Sequence, residues 1–206
     1  YDTCKDLLFW PSREMIRNRL PASFVQKYPN CRCIIDCTEV QCEIPNSLEL
    51  GTLLWSNYKQ RHTVKFLIGI APSGEITFVS KAFGGRATDS QITVQSGFID
   101  LLEVGDLVLA DKGFPQIVAD ANNVGAFVVM PPFKSSIVKQ FSDAQNNECY
   151  KVASVRVHVE RAIRRLKYFK IFRFVQNQFI PHMSKLAVVL SFFCNNMNEL
   201  IDQDKE

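Results

Sequence analysis

The chain has 206 residues, of which 47% are hydrophobic and 22% are charged, and its formal net charge is +3. This composition suits one well-buried domain, or one domain with a small appendage, and it excludes an intrinsically disordered chain. No apolar run approaches the roughly 20 residues that a membrane span needs, so we expect no membrane association through a spanning helix.

Residues 1–30 are predicted to form an N-terminal arm that leads into the main domain, residues 31–206. Within the arm, residues 13–20 are typical of a short helix, with Pro11 at its start and Pro21 ending it. The chain does not begin with Met, so we expect it to be a piece of a longer protein.

Three strands are predicted to open the main domain as an antiparallel meander. The first covers residues 31–44, which are rich in β-branched side chains and stop at Pro45. The other two, residues 63–70 and 75–83, are apolar segments joined by the turn-forming sequence APSG. The stretch before them, including GTLLWSNYKQRH, is predicted to be a loop.

The seven cysteines are an odd number, and four of them lie close together in the first predicted strand. Cys31, Cys33, Cys37 and Cys42 match no common zinc spacing. Strand alternation predicts that the first three share a face with Ile35. We therefore favour small buried side chains over metal ligands, and reduced thiols indicate an intracellular, reducing compartment.

Helices alternate with short buried strands in the second half of the chain. Asp89 is predicted to N-cap a helix over residues 90–102. Strands are predicted at residues 105–111 and 125–132, and a helix at residues 113–123 lies between them.

The chain is predicted to end in helices. A polar stretch, residues 134–153, is expected to be a loop with irregular helix, and a basic helix over residues 154–172 and a last helix over residues 181–201 follow. The order β-β-β-α-β-α-β-α-α predicts an α/β fold in which helices flank a mixed sheet. This order is typical of a ribonuclease-H-like fold.

Two aspartates fall where such a sheet would place a site. Asp36 lies in the middle of the first strand beside Ile35 and Cys37, where a buried carboxylate is costly unless a charge pairs with it. Asp111 ends the fourth strand, at the edge where open α/β sheets carry their sites, although a strand-end aspartate alone is more often a loop cap. If the two strands are neighbours, the carboxylates face each other, and a divalent cation would relieve their repulsion.

Glu160 is the candidate for a third carboxylate. On a helix, one stripe of side chains consists of Arg156, Glu160, Arg164 and Lys167. It lies beside an apolar stripe that includes Ile163. A helix packed on the sheet would hold Glu160 at its edge, where three acids can bind two Mg²⁺ or Mn²⁺ ions for phosphoryl transfer. The alternative is that Glu160 is only an ion-pair partner of Arg156 and Arg164.

Positive charge is concentrated in one segment. Residues 156–173 hold seven Lys or Arg and one Glu, a net +6, so the rest of the chain carries −3. Because aromatic side chains interleave with these cations, we favour phosphate contacts with DNA over an inert solvated face. The side chains assigned to DNA are Arg156, Arg161, Arg164, Arg165, Lys167 and Lys112.

Four weaker predictions concern side chains near these motifs. The loop WSNYKQRH, residues 55–62, is a second candidate for DNA contact. Asp89 is foremost a helix cap and, as the alternative, a support behind the metal ligands. Glu39 is expected to face away from Asp36, because their offset is odd, and His158 is expected at a surface that DNA can reach.

Five motifs together resemble the DDE endonuclease domain of PIF/Harbinger-type transposases. They are IIDCTEV, YKQRHTVKFLIGIAPSGEITFVSKAFGGRATDSQI, GDLVLADKGF, PPF and RVHVERAIRRLK, in the order of that family, and the resemblance runs from Trp10 to Asn198. It implies a catalytic Asp-Asp-Glu triad that falls on Asp36, Asp111 and Glu160, at spacings of 75 and 49 residues.

The resemblance also implies an activity and a setting. We expect a metal-dependent DNA endonuclease or transposase domain with two divalent cations, Mg²⁺ or Mn²⁺, that cuts transposon ends and joins strands through the freed 3′-hydroxyl. The protein is expected to be nuclear and to find its DNA through an upstream domain or a partner protein, and a homo-oligomer is allowed. Two alternatives stay open: a domesticated module that binds DNA or protein without cleavage, and a ribonuclease-H-like nuclease without strand transfer.

Overall fold

The structure is a computed structural model that describes residues 2–131 and 143–201. Three predictions fall partly outside the described residues. They concern the PPF motif beyond its first proline, the end of the strand predicted to reach residue 132, and residues 134–142 of the predicted polar stretch.

The N-terminal segment folds as three short helices, α1 (Asp2–Leu7), α2 (Arg13–Asn18) and α3 (Ala22–Lys27). The helix predicted from residue 13 is confirmed as α2. Its N-cap is Ser12, whose hydroxyl accepts a hydrogen bond from the Met15 N–H, and this side-chain cap fixes where the helix begins. The other two helices were not predicted, because six residues are too few to show a helical period, and α2, which is equally short, was predicted only from the prolines that flank it.

A buried ion-pair network fastens α2 to the body of the protein. Arg13 Nε lies 2.9 Å from Asp106 Oδ1, and its guanidinium also donates to the Val104 carbonyl at 2.6 Å. Asp106 faces a second guanidinium, Arg32 Nε, at 3.5 Å, and both side chains are only 3% exposed. Trp10 covers Arg32, whose guanidinium carbon is 5.1 Å from the ring centroid.

We expect Asp106→Asn to lower the free energy of unfolding by about 2 kcal/mol, because it leaves the buried Arg32 charge without its carboxylate. Urea denaturation followed by circular dichroism measures this loss. The matched control is Glu103→Gln, since Glu103 contacts Arg13 and Arg32 at 3.5 and 3.6 Å but is 57% exposed. It should cost less than about 0.5 kcal/mol, and equal losses would contradict the importance of burial.

The centre of the sheet is β1 (Cys31–Cys42). It pairs antiparallel with β3 (Arg61–Ile70) and parallel with β6 (Leu107–Leu109), and β6 pairs parallel with β7 (Phe127–Val129). The sheet is mixed, and the first and fourth predicted strands are neighbours in it, which is the condition under which Asp36 and Asp111 were expected to face each other.

Four short strands complete the sheet, which has eight strands in the described part of the chain. β2 (Trp55–Ser56), β4 (Ile76–Val79) and β5 (Phe83–Gly84) each pair antiparallel with β3, and β8 (Phe174–Val175) pairs parallel with the end of β1. The predicted meander is confirmed as β1, β3 and β4. Its third strand is broken into β4 and β5.

A helix replaces part of the loop that was predicted before β3. α4 (Leu48–Leu54) is capped by Ser47, whose hydroxyl accepts from the Leu50 N–H. Because Leu48, Leu50 and Leu53 are all exposed, the segment lacks the one-sided apolar stripe by which a helix is recognised.

The cap of α5 (Asp89–Gln95) differs from the prediction. Thr88 is the N-cap, and it forms a capping box in which Thr88 and Gln91 each accept the other's backbone N–H. The prediction that Asp89 caps this helix is wrong. Since Thr88 already satisfies the helix end, the Asp89 carboxylate is available to Lys65.

Three further helices cover the sheet. α6 (Ile117–Asn123) precedes β7, α7 (Asp143–Leu166) contains the basic segment, and α8 (Met183–Asn195) is the last helix. α7 ends at Leu166 rather than at residue 172, because a 3-10 turn (Lys170–Phe172) leads the chain into β8. None of the described helices is long and apolar enough to cross a membrane.

The core has two parts, one on each face of the sheet. Ile34 and Val40 pack on one side with residues of α7 and α8, and Cys33 and Ile35 pack on the other with residues of α5 and α6. Cys31 joins the Ile34 side, so the prediction that it shares a face with Ile35 is wrong. The reason is a shift in the β1–β6 register between Cys31 and Cys33, which breaks strict alternation.

Candidate active site

Three separate elements bring three carboxylates into one cleft of about 560 Å³. In the parallel pairing, Ile34 lies opposite Leu109, so Asp36 and Asp111 each follow the paired residues by two positions at the same sheet edge. Glu160, on α7, lines the same cleft. The three acids predicted from the sequence are thus neighbours in the fold.

Asp36 lies within β1 and is partly buried. Its Oδ1 accepts a hydrogen bond from the Cys37 N–H at 2.8 Å. Burial raises the pKa of Asp36 to about 6, and the negative charge of Asp111 adds to the rise, while Arg156 opposes it. The charged form of Asp36 is therefore short of positive charge in this structure.

Asp111 is the first residue of the loop after β6. Its side chain is 46% exposed, and its Oδ1 accepts from the Lys112 N–H at 2.7 Å. The loop then closes through the Phe114 N–H, which donates to the Asp111 carbonyl at 3.2 Å, and the Phe114 ring is fully buried. The buried Phe114 ring and this hydrogen bond anchor the loop, and they fix the direction in which the Asp111 side chain projects from the sheet edge.

Glu160 is held by the packing of α7. Val159, Ile163 and Leu166 are buried in the core, and on a helix this stripe leaves position 160 beside the sheet rather than over it. The Glu160 side chain is 57% exposed. It can therefore turn toward the cleft or toward solvent.

Arg156 joins two of the three acids. Its guanidinium lies 3.2 Å from Asp111 Oδ1 and 4.0 Å from Glu160 Oε1, and its side chain is only 12% exposed. The ion pair expected between Glu160 and Arg156 is thus present at long range. No ion pair between Glu160 and Arg164 occurs in the described residues.

In this conformation, residues 2–131 and 143–201 contain no group of three or more His, Cys, Asp or Glu side chains spaced to hold a metal. The donor chemistry nevertheless fits a divalent cation. Carboxylate oxygens are the ligands that Mg²⁺ and Mn²⁺ prefer, and a cation would offset both causes of the raised pKa of Asp36, which are chiefly burial and, to a smaller extent, the charge of Asp111. Arg156 supplies positive charge at this place instead.

A buried lysine behind the cleft was missed in the sequence. Lys65 Nζ lies 2.6 Å from Asp89 Oδ1 and 3.8 Å from Glu39 Oε1, and it donates to the Ala87 carbonyl at 3.1 Å. Burial alone would lower the pKa of Lys65, but the hydrogen bond and charge of Asp89 outweigh it and raise the pKa. The signal that could have found it is a single cation inside the apolar strand TVKFLIGI.

Asp89 lies directly beneath the loop that carries Asp111. A Cβ atom added to Gly113 would come within 2.7 Å of Asp89 Oδ2, so this loop needs glycine to pass over the carboxylate. Lys65 fixes Asp89 from the other side. These contacts are compatible with the prediction that Asp89 supports the three acids from behind. They do not make Asp89 a direct partner of any of those acids.

Glu39 also borders the cleft, but it turns to the other side of β1. Its Oε2 accepts from the Thr63 hydroxyl at 2.8 Å and its Oε1 faces Lys65. This agrees with the expected direction away from Asp36.

The predicted DNA-contacting cations differ in their surroundings. Lys167 lines the cleft, and Arg161, Arg164 and Lys112 are exposed. Arg165 is less exposed and donates to the Glu199 carbonyl at 3.1 Å.

The prediction that His158 lies at a surface open to DNA is wrong. His158 is 2% exposed, and its ring lies 6.1 Å from that of Phe24. The reason is that α3 packs against α7 and covers this side of the helix.

The loop of residues 55–62 reaches the cleft as well. Tyr58 and Lys59 both line it, and Lys59 Nζ lies 4.4 Å from the Tyr58 ring centroid. The cleft thus has an acidic floor and a rim that carries positive charge and one aromatic ring.

Comparison with known families agrees with this arrangement. A family model described as DDE superfamily endonuclease matches residues 35–195, which is well over half of the chain and contains all three acids. No curated protein and no solved structure matches the chain. The chain belongs to the DDE superfamily endonuclease family.

Proposed function

We propose that this chain is the catalytic domain of a metal-dependent DNA endonuclease of the transposase type, with a ribonuclease-H-like fold. One observation carries the proposal: in a chain of this family, Asp36, Asp111 and Glu160 converge on a single cleft from two strands and a helix. Convergence of acids that are far apart in sequence is expected of a catalytic site and not of surface ion pairs.

Each acid has a distinct part in the proposed chemistry. Asp36 and Asp111 would hold divalent cations from the sheet edge, and Glu160 would close the set from α7. Bound Mg²⁺ or Mn²⁺ supplies an activated water or hydroxyl nucleophile and neutralises charge on the leaving oxygen. Arg156, within reach of Asp111 and Glu160, would orient these carboxylates and meet the incoming phosphate.

Within the family, we assign the chain to the PIF/Harbinger type of transposase, and the motifs around the three acids support this assignment. On this proposal the freed 3′-hydroxyl attacks a second strand, and the DNA is located by another domain or a partner protein. The protein would then work in the nucleus.

The test is plasmid nicking by the full chain in Mg²⁺ or Mn²⁺, with EDTA as the blank. We expect metal-dependent conversion of supercoiled to nicked DNA, and we expect Asp111→Asn to reduce it to the EDTA level. Asp111 is half exposed, so the variant should keep the melting temperature of the parent. Undiminished nicking by this variant would overturn the assignment.

One observation favours a second candidate, a DNA-binding module that does not cleave. Arg156 meets two of the acids where a cation would lie, and the described residues form no metal cluster. This candidate predicts salt-sensitive DNA binding with no nicking in either metal. Nicking of RNA or hybrid substrates in preference to DNA would instead identify a nuclease without strand transfer.

A further inference from the structure

A rigid turn forms one rim of the acidic cleft. Residues 57–60 connect β2 to β3. The Lys59 N–H donates to the Ser56 hydroxyl at 3.1 Å, and the Gln60 N–H donates to the Ser56 carbonyl at 2.8 Å. Gln60 has a φ of 53°, a left-handed conformation that costs energy for a residue with a side chain. The turn is therefore held in one shape despite strain.

The turn presents an aromatic ring to solvent at the cleft. Tyr58 is 82% exposed, and Lys59 lies against its ring. A tyrosine that is not packed contributes little to folding, whereas an exposed ring beside a cation is the arrangement on which proteins stack unpaired bases.

Lys167 is a second cation in the same cleft. It directly follows α7, its N–H donates to the Ile163 carbonyl at 3.1 Å, and its carbonyl accepts from Arg173 Nε at 2.7 Å. These bonds fix the backbone of Lys167, and its side chain lines the cleft. Burial lowers the pKa of Lys167, and the nearby charge of Lys59 lowers it further.

The two ammonium groups repel each other. In the part of the chain that the structure describes, neither Lys59 nor Lys167 forms a salt bridge, although the more distant charges of Asp36 and Glu39 favour the charged form of Lys167. An anion that enters the cleft beside both ammonium groups offsets their repulsion. A phosphate that approaches the three acids would bring such an anion.

We propose that Tyr58, Lys59 and Lys167 form a subsite for one unpaired nucleotide next to the phosphate that is cut. Tyr58 stacks on the base, and the two ammonium groups hold the backbone phosphate of that nucleotide. The inference rests on the proposed function and narrows its substrate class to DNA with unpaired nucleotides at the cleavage site. A base stacked inside a continuous duplex does not reach the ring.

The test compares two DNAs by fluorescence anisotropy, using the full chain with Glu160→Gln so that no DNA is cut. One probe is a blunt duplex, and the other is the same duplex with an overhang of about four unpaired nucleotides, the lower end of single-strand site sizes. We expect the overhang to bind about tenfold more tightly, which is the size of one base–aromatic stacking contact.

Variants assign the preference to the subsite. Tyr58→Ala should remove the tenfold preference, and Tyr58→Phe should keep it, because stacking needs the ring and not the hydroxyl. Tyr150→Ala, at an exposed tyrosine that does not line the cleft, should leave it unchanged. Lys59→Ala and Lys167→Gln should each weaken binding of the overhang probe more than binding of the blunt duplex, and should reduce the salt dependence of overhang binding by about one phosphate contact.

Two results would overturn the subsite: no preference for the overhang, or a preference that survives Tyr58→Ala. A tighter fit of a matched RNA overhang would overturn the choice of DNA. Plasmid nicking by the unmodified chain is measured separately. If the unmodified chain nicks DNA but shows no preference for the overhang, only the subsite proposal is wrong. If the unmodified chain does not nick DNA, the proposed function is wrong.

Discussion

Asp36→Asn is expected to abolish metal-dependent nicking and, at the same time, to stabilise the folded protein at neutral pH. The loss of activity should be about a thousandfold or more, because a carboxylate that holds a metal contributes several kcal/mol to the stabilised transition state. The gain in stability should be about 2 kcal/mol. This gain in stability is smaller than the free energy that corresponds to a two-unit pKa difference, because the asparagine amide is also poorly solvated at this position.

The direction of the stability change follows from the pKa of Asp36. In the folded protein this pKa is about 6, above the ordinary value of 3.8, so the folded state binds the proton more tightly than the unfolded chain does. The charged form therefore opposes folding above pH 6, and this penalty disappears as the pH falls from 6 toward 4. The asparagine variant carries no such charge at any pH.

Urea unfolding at pH 7.5 and at pH 4.5 checks this expectation. The stability difference between Asp36→Asn and the parent should be present at the higher pH and nearly absent at the lower one. Asp111→Asn is the matched control. Asp111 is half exposed and ion-paired with Arg156, so its variant should lose nicking without becoming more stable. A destabilised Asp36→Asn at pH 7.5 would contradict the idea that Asp36 is held at a cost.

The position of the two aspartates was predictable because parallel strand ends lie at one sheet edge. The apolar segments around Asp36 and before Asp111 identify two buried strands, but only the structure shows that these strands pair with each other. Glu160 followed from the helical stripe beside Ile163. Each of these inferences uses the regular repeat of side-chain direction along a strand or a helix. This repeat is the structural feature that a sequence pattern indicates most directly.

Side-chain partners were less predictable, because they depend on contacts between distant segments. Nothing near Lys65 in the sequence indicates Asp89 as its partner, 24 residues later. The burial of His158 depends on α3, a helix too short to be recognised. The reversed face of Cys31 depends on a register shift, which strict alternation does not express.

Arg156 is the side chain whose role changed most. It was expected to contact DNA and, as an alternative, to pair with Glu160, whereas the structure places its guanidinium closest to Asp111 and at longer range from Glu160. The Nε atom is buried and has no hydrogen-bond partner among the residues described. The guanidinium is thus held at the acids mainly by charge, and another cation can compete with it.

Arg156→Ala is accordingly expected to bind Mn²⁺ about a hundredfold more tightly than the parent when no DNA is present. A single and a double positive charge about 6 Å apart repel by about 5 kcal/mol at an effective dielectric constant of 20. Because the arginine can swing out and recover part of this energy, the net effect is smaller. Titration of free Mn²⁺ by electron paramagnetic resonance measures it.

The control for this change is Arg164→Ala, which removes the same charge from the same helix at an exposed position. It should alter the affinity for Mn²⁺ by less than about threefold, since solvent and salt screen an exposed charge. DNA provides the second arm of the experiment. A phosphate that takes over the guanidinium should tighten Mn²⁺ binding more in the parent and in Arg164→Ala than in Arg156→Ala, because the direct attraction between phosphate and cation is common to all three proteins and only the release of Arg156 differs. Equal affinities in all three proteins without DNA would show that Arg156 does not compete for the acids, and the cleft would then need another source for the positive charge that Asp36 lacks.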